Sequence, residues 1–100
     1  MRSIFAGAVL ALLLLVAACQ AAPPVQEMSD ARQAITVARE AGAVKFAGAE
    51  LKDAEVSLES AQRKLAEGAY AQARRDALQA RNKALAALSI AENAAAQQPK

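Results

Sequence analysis

The chain has no histidine and a single cysteine, Cys19. The usual zinc sites and the Cys-His and Ser-His-Asp nucleophilic systems therefore lack their residues. Acidic pairs do occur: Glu50 with Asp53, and Glu55 with Glu59, share a helix face by spacing. Acid–base catalysis needs such carboxylates desolvated or otherwise shifted toward the working pH. A thin helix with few bulky neighbours has nothing to exclude water from them, so we expect solvated roles. No catalytic residue, metal or cofactor is expected. Arg74, Arg75, Arg81 and Lys83 form a locally basic stretch, in which Arg74 and Arg81 are seven residues apart and align. These two are the candidate partner-binding residues, suited to an acidic partner, a lipid headgroup or a cell-wall polymer. The alternative is an ordinary solvated face. Asp76 interrupts the group, and no aromatic side chains interleave with it for base stacking. The glycines are scattered and build no phosphate-cradling loop.

The cysteine has a different setting. Met1-Arg2-Ser3 is a short positive start, and Ile4 to Ala18 is an uncharged run of fifteen residues. As a helix that run reaches about 22 Å, short of the ~30 Å hydrocarbon core, which favours a cleaved signal over a spanning helix. It ends in Val16-Ala17-Ala18-Cys19. This ending resembles the lipobox of bacterial lipoproteins, which implies cleavage between Ala18 and Cys19 and lipidation of Cys19. An uncleaved N-terminal anchor with an incidental thiol is the alternative. One acyl chain holds a protein only marginally, and stable anchoring takes two signals. The resemblance implies a diacylglyceryl thioether, usually with an N-acyl chain such as palmitate. Gln20 stands where Asp is associated with inner-membrane retention in enteric bacteria. In a host with two membranes, the expected address is the periplasmic face of the outer one.

Removal of the first eighteen residues leaves 82, enough for one small domain. Without Arg2, eleven basic and ten acidic side chains remain. That near-balance gives no strong attraction to nucleic acid, and no nucleic-acid partner is expected. The 82 residues hold 24 alanines against 15 larger apolar side chains. Alanine favours helix but buries little area, so helices should form readily around a thin core. Marginal stability or a homo-oligomer follows as an expectation.

No strand-like alternation occurs, and the pattern predicts an all-α fold. Residues 19–23 form a tether ending in Pro23, and Pro24 suits a first helical position. Met28, Ala31, Ile35 and Ala38 repeat at helical spacing, predicting a helix over 24–41 that stops at Gly42. The register then slips. Val44, Ala47, Leu51, Ala54, Leu58, Ala61 and Leu65 predict a second helix over 44–66, with Gly48 leaving its proper start near Ala49. Glu59, Arg63 and Glu67 are spaced for an ion-pair ladder on its outer surface. Glu67-Gly68-Ala69 predicts a tight turn, with Tyr70 packing at the hairpin end. A third helix over 70–95 carries Ala73, Ala77, Ala80, Ala84, Ala87, Ala91 and Ala94 in heptad phase, flanked by Leu78, Leu85 and Leu88. The second helix is its natural antiparallel neighbour, making a helical hairpin, and the first helix or another subunit would cover the flank. Residues 96–100 should fray.

Taken together, Pro24, Met28, Ala31, Ile35, Ala38, Ala41-Gly42-Ala43, Leu51, Leu58, Ala61, Leu65, Gly68-Ala69-Tyr70, Ala73, Ala77 and Ala80 form a pattern. It resembles the family of short bacterial lipoproteins catalogued as domain of unknown function 4398. An aromatic-Ala-Pro expected before the second helix is replaced by Phe46-Ala47-Gly48. The resemblance implies helical, surface-attached proteins, sometimes beside peptidoglycan-binding domains, and supplies no activity. Gly68-Ala69-Tyr70-Ala71-Gln72-Ala73 also looks like part of one tetratricopeptide unit, although an array needs about three. Three readings follow. The first is a non-enzymatic envelope lipoprotein that binds a protein or supports the wall. The second is an oligomeric alanine-zipper or murein-type lipoprotein joined to peptidoglycan through Lys100. The third is a single tetratricopeptide-like adaptor.

Overall fold

The computed structural model describes residues 6–11 and 22–98. Residues 6–11 are helical (α1), within the predicted signal segment. The domain that follows is built from α2 (Val25–Glu40), α3 (Ala43–Phe46), α4 (Gly48–Ala66) and α5 (Tyr70–Ala96). Among the described residues all regular structure is helical, as the pattern predicts.

Helix α2 starts after Pro24, which lacks an N–H to leave unsatisfied; the Pro24 carbonyl accepts the Met28 N–H at 3.1 Å. Glu27 lies in the first turn and Arg39 in the last, each complementing the helix dipole. The buried face is Met28, Ala31, Ala34, Ile35 and Ala38. Gly42 ends the helix with φ of +95°, and its N–H donates to the Arg39 carbonyl at 3.0 Å.

The second helix expected over 44–66 is divided, close to the start near Ala49 that Gly48 suggested. One turn, α3, is followed by a break at Ala47, whose φ of −145° and ψ of 43° leave the helical region. Helix α4 then begins at Gly48, one residue before the predicted start. The break sends Ala43 and Ala47 inward, while Val44 is 70% exposed. Val44 therefore does not open the buried series as expected. Inward positions continue through Leu51, Ala54 and Ala61, with Leu58 and Leu65 half-buried.

The α4–α5 turn is a Schellman motif. The Ala69 N–H donates to the Lys64 carbonyl at 2.8 Å, and the Gly68 N–H donates to the Leu65 carbonyl at 3.0 Å. Gly68 has φ of +78°, which a side chain adopts only under strain. Helix α5 then runs antiparallel to α4. Its Ala73, Ala77, Ala80, Ala84, Ala87 and Ala91 are fully buried, while Ala94 is half-buried. Helix α5 reaches Ala96, so Gln97 and Gln98 start the tail; Pro99 and Lys100 lie outside the described residues.

Helix α5 packs extensively on both α4 and α2, while α2 and α4 touch less. Helix α2 thus covers part of the flank within one chain. Leu88 packs on the core and Leu78 is half-buried, but Leu85 stays 46% exposed. Buried apolar residues form two clusters. The larger joins Ile35, Ala43, Leu51 and Ala87 near the α3 end, and the smaller joins Met28, Ala61 and Ala77 near the hairpin turn. Of the sixteen buried apolar residues described, thirteen are alanine, so packing depends on close backbone approach. The Glu59-Arg63-Glu67 ladder forms no ion pair among the described residues.

Three substitutions separate these causes. Gly68→Ala should lower unfolding free energy by about 1–2 kcal/mol through strain, because its Cβ would meet open space. Ala84→Leu should cost about 1–3 kcal/mol by overpacking, while exposed Ala86→Leu stays within about 0.5 kcal/mol. Urea denaturation monitored by circular dichroism measures all three.

Candidate functional site

The proposed cleavage and lipidation residues, Ala18 and Cys19, lie outside the described residues. The chain enters the described domain at Ala22, and here the structure is tightly built. Pro24 is fully buried. The Val25 N–H donates to the Pro23 carbonyl at 2.9 Å. Arg74, one turn into α5, reaches across this junction: Nη2 donates to the Ala22 carbonyl at 2.9 Å, and Nε donates to Glu27 Oε1 at 3.2 Å. Met28, one turn further on, is buried in the small cluster with Ala61 and Ala77. The guanidinium thus ties the entering segment and the start of α2 to α5.

Arg74 and Arg81 share a helix face, as their spacing predicts, but they have separate surroundings. Arg74 is engaged within the chain. Arg81 donates from Nη2 to Asn82 Oδ1 at 3.2 Å, and its buried Nε has no hydrogen-bond partner. Arg81 lines a shallow α2–α5 groove of about 290 Å³ with Asp30, Val37 and Leu85.

A larger open cleft, about 460 Å³, lies between α2 and α4. Ile35 and Leu58 provide its apolar lining, and Arg32, Lys52 and Glu59 its charges. Arg39 Nη2 donates to Glu55 Oε1 across it at 2.7 Å. Two of the four carboxylates considered for acid–base work are engaged elsewhere. Glu55 pairs with Arg39, and Asp53, 62% exposed, lies 3.6 Å from Lys83 Nζ. Between α4 and α5, the Ser60 hydroxyl donates to Asp76 Oδ2 at 2.6 Å. Among the described residues no three His, Cys, Asp or Glu side chains gather as a metal site. None of the described helices is long and apolar enough to cross a membrane.

The Glu27–Arg74 contact joins residues 47 apart and Arg39–Glu55 residues 16 apart. Local spacing gave no sign of either. Glu27 reads from sequence only as a helix-dipole partner, and Arg74 only as part of a basic stretch.

A family model described as Domain of unknown function (DUF4398) matches residues 26–100. The chain belongs to DUF4398. No curated protein and no solved structure matches it. The DUF4398 match begins at Gln26, in the first turn of α2, and includes all of α3, α4 and α5. It therefore takes in both left-handed glycines, Gly42 and Gly68, and the whole alanine face of α5. Cys19 and the tether precede the matched span.

The junction makes a local prediction. Arg74→Gln should accelerate amide hydrogen exchange at residues 25–29 by up to about fivefold, since a half-exposed pair contributes about 1 kcal/mol or less. Protection at Ala84–Ala91 should be unchanged, and Arg81→Gln should leave residues 25–29 as they are.

Proposed function

We propose that this DUF4398 protein is a lipid-anchored cell-envelope protein acting without catalysis, as a small helical module that binds a protein or supports the wall. Its location would be the periplasmic face of the outer membrane. The observation that carries the reading is Val16-Ala17-Ala18-Cys19 at the end of an uncharged run of fifteen residues. Small residues ahead of the only cysteine give that thiol a chemical purpose, and lipid makes attachment stable. The remaining chain supplies a helical body and shallow, open clefts.

Between the module and the alanine zipper, the burial of α5 favours the module. The seam from Ala73 to Ala91 is covered by α2 and α4 of the same chain, leaving little of it for a second copy. Attachment to peptidoglycan through Lys100 remains a separate proposal, tested by searching digested cell wall for a Lys100-containing muropeptide.

Intact-mass analysis of protein purified from its native membrane tests the anchor. The expected species begins at Cys19 and carries diacylglycerol with an N-acyl chain. Cys19→Ser should abolish incorporation of a palmitate analogue and leave an uncleaved precursor. A wild-type protein that starts at Met1 without lipid would overturn the reading. In-cell crosslinking with mass spectrometry tests the interaction role, with an envelope protein or cell-wall fragment as the expected product.

A further inference from the structure

We propose that the α4–α5 turn end of the domain is a second membrane contact, a basic surface held against anionic phospholipid headgroups. The proposal rests on lipidation of Cys19 and adds an orientation and a headgroup chemistry to it. Two independent observations carry it: the length of chain between the anchor and the domain, and the distribution of charge between the domain's two ends.

The tether is too short to let the domain tumble. Arg74 holds the Ala22 carbonyl at 2.9 Å, and Pro24 is fully buried, so the domain effectively begins at residue 22. From Cys19 to Ala22 an extended chain spans at most about 11 Å. The junction lies beside the first turns of α5, at the hairpin end. A lipidated Cys19 therefore brings that end to within about one headgroup layer of the bilayer. The far end of α5 lies 27 residues along the same helix, about 40 Å away.

The end brought to the membrane is the basic one. Arg63 and Arg75 are exposed and Lys64 is half-exposed, all within two turns of Gly68. Among the described residues none of the three has an acidic partner within 4 Å. Glu67 is the exposed acid among them, half-buried Asp76 accepts from Ser60, and Glu27 is paired with Arg74. Their long side chains can extend toward the turn and leave their charges in the headgroup layer. Half-buried Tyr70 opens α5 at the same level, where an amphipathic ring is favoured. The opposite end carries Glu40, Glu50 and Glu92 against Lys45 and Lys52, with Glu55 paired to Arg39 and Asp53 to Lys83. An anionic surface thus favours the tethered end over the far one.

The test uses the full-length protein purified from its native membrane, with lipidation first checked by intact mass. Single cysteines at Ala71→Cys and Ala96→Cys are labelled with a fluorophore; a thioether-linked Cys19 does not react. The protein is reconstituted into phosphatidylcholine vesicles containing phosphatidylglycerol and a headgroup-labelled quencher lipid. Strong quenching is expected at position 71 and little at 96. Replacing phosphatidylglycerol with phosphatidylcholine should weaken quenching at 71. In anionic vesicles, Arg63→Gln/Lys64→Gln/Arg75→Gln should lower the docking equilibrium constant by up to about a hundredfold, at about fivefold per cation near the surface. Equal quenching at both positions in the lipidated protein would overturn the orientation. Undiminished quenching at 71 in the triple variant, or without anionic lipid, would overturn the headgroup contact. A free Cys19 thiol would show first in the mass and would overturn the anchor and this surface together.

Discussion

The structure depends on the narrowness of one helix face. From Ala73 to Ala91, α5 presents fully buried alanines, and α2 and α4 both pack on that side of it. Small side chains let helix backbones approach closely, so dispersion contacts are spread along the backbone instead of gathered around a few large groups. A buried methyl contributes about 0.8 kcal/mol, whereas a fully buried Leu or Ile contributes about 1.5–3 kcal/mol. Many weak contacts must therefore act in register. Left-handed glycines at 42 and 68 end α2 and α4. Ser60–Asp76 and Lys83–Asp53 then connect α4 to α5 at separate levels. Polar contacts near the surface supply positional definition that alanine cannot provide by shape.

The same features decide what could be read from the sequence. Helical spacing exposes a buried face when the helix is regular, so the α5 series from Ala73 to Ala91 and the stops at Gly42 and Gly68 were legible. The segment between Gly42 and Leu51 was not. Val44 and Ala47 continue the helical series toward Leu51, but α3 is a single turn and Ala47 breaks the ladder. The inward position is Ala43, one residue earlier, and a one-residue change in helical phase is a rotation of about 100°. In a chain so rich in alanine, either phase places an apolar residue inside. Composition consequently hides the error that a polar residue would have revealed.

Of the candidate residues, the structure describes the two arginines, whose shared face was legible and whose partners were not. Cys19 and Ala18 stand out because small residues before a cysteine at the end of an apolar run form a local pattern. Arg74 and Arg81 could be placed on one helix face from their spacing alone. Their different surroundings come from α2, more than forty residues earlier, which brings Glu27 to one and Asp30 into the groove beside the other. Arg74 consequently acts on the domain's own chain, and the basic stretch cannot be treated as one surface. Such a division depends on tertiary docking, which local periodicity does not encode.

The arrangement around α5 also explains why the larger cleft lies between α2 and α4. Both helices pack against a face only one small side chain wide, and they contact each other less than either contacts α5. A large central side chain could fill the valley between them; an alanine cannot. Ile35 and Leu58 partly fill it, and Arg39 with Glu55 spans its polar rim. Enclosing an apolar ligand would require bulky walls on more than one side. This geometry instead leaves an open surface in which apolar groups and charges lie side by side. The alanine face thus permits the close helix packing of the core and limits the clefts above it to shallow forms.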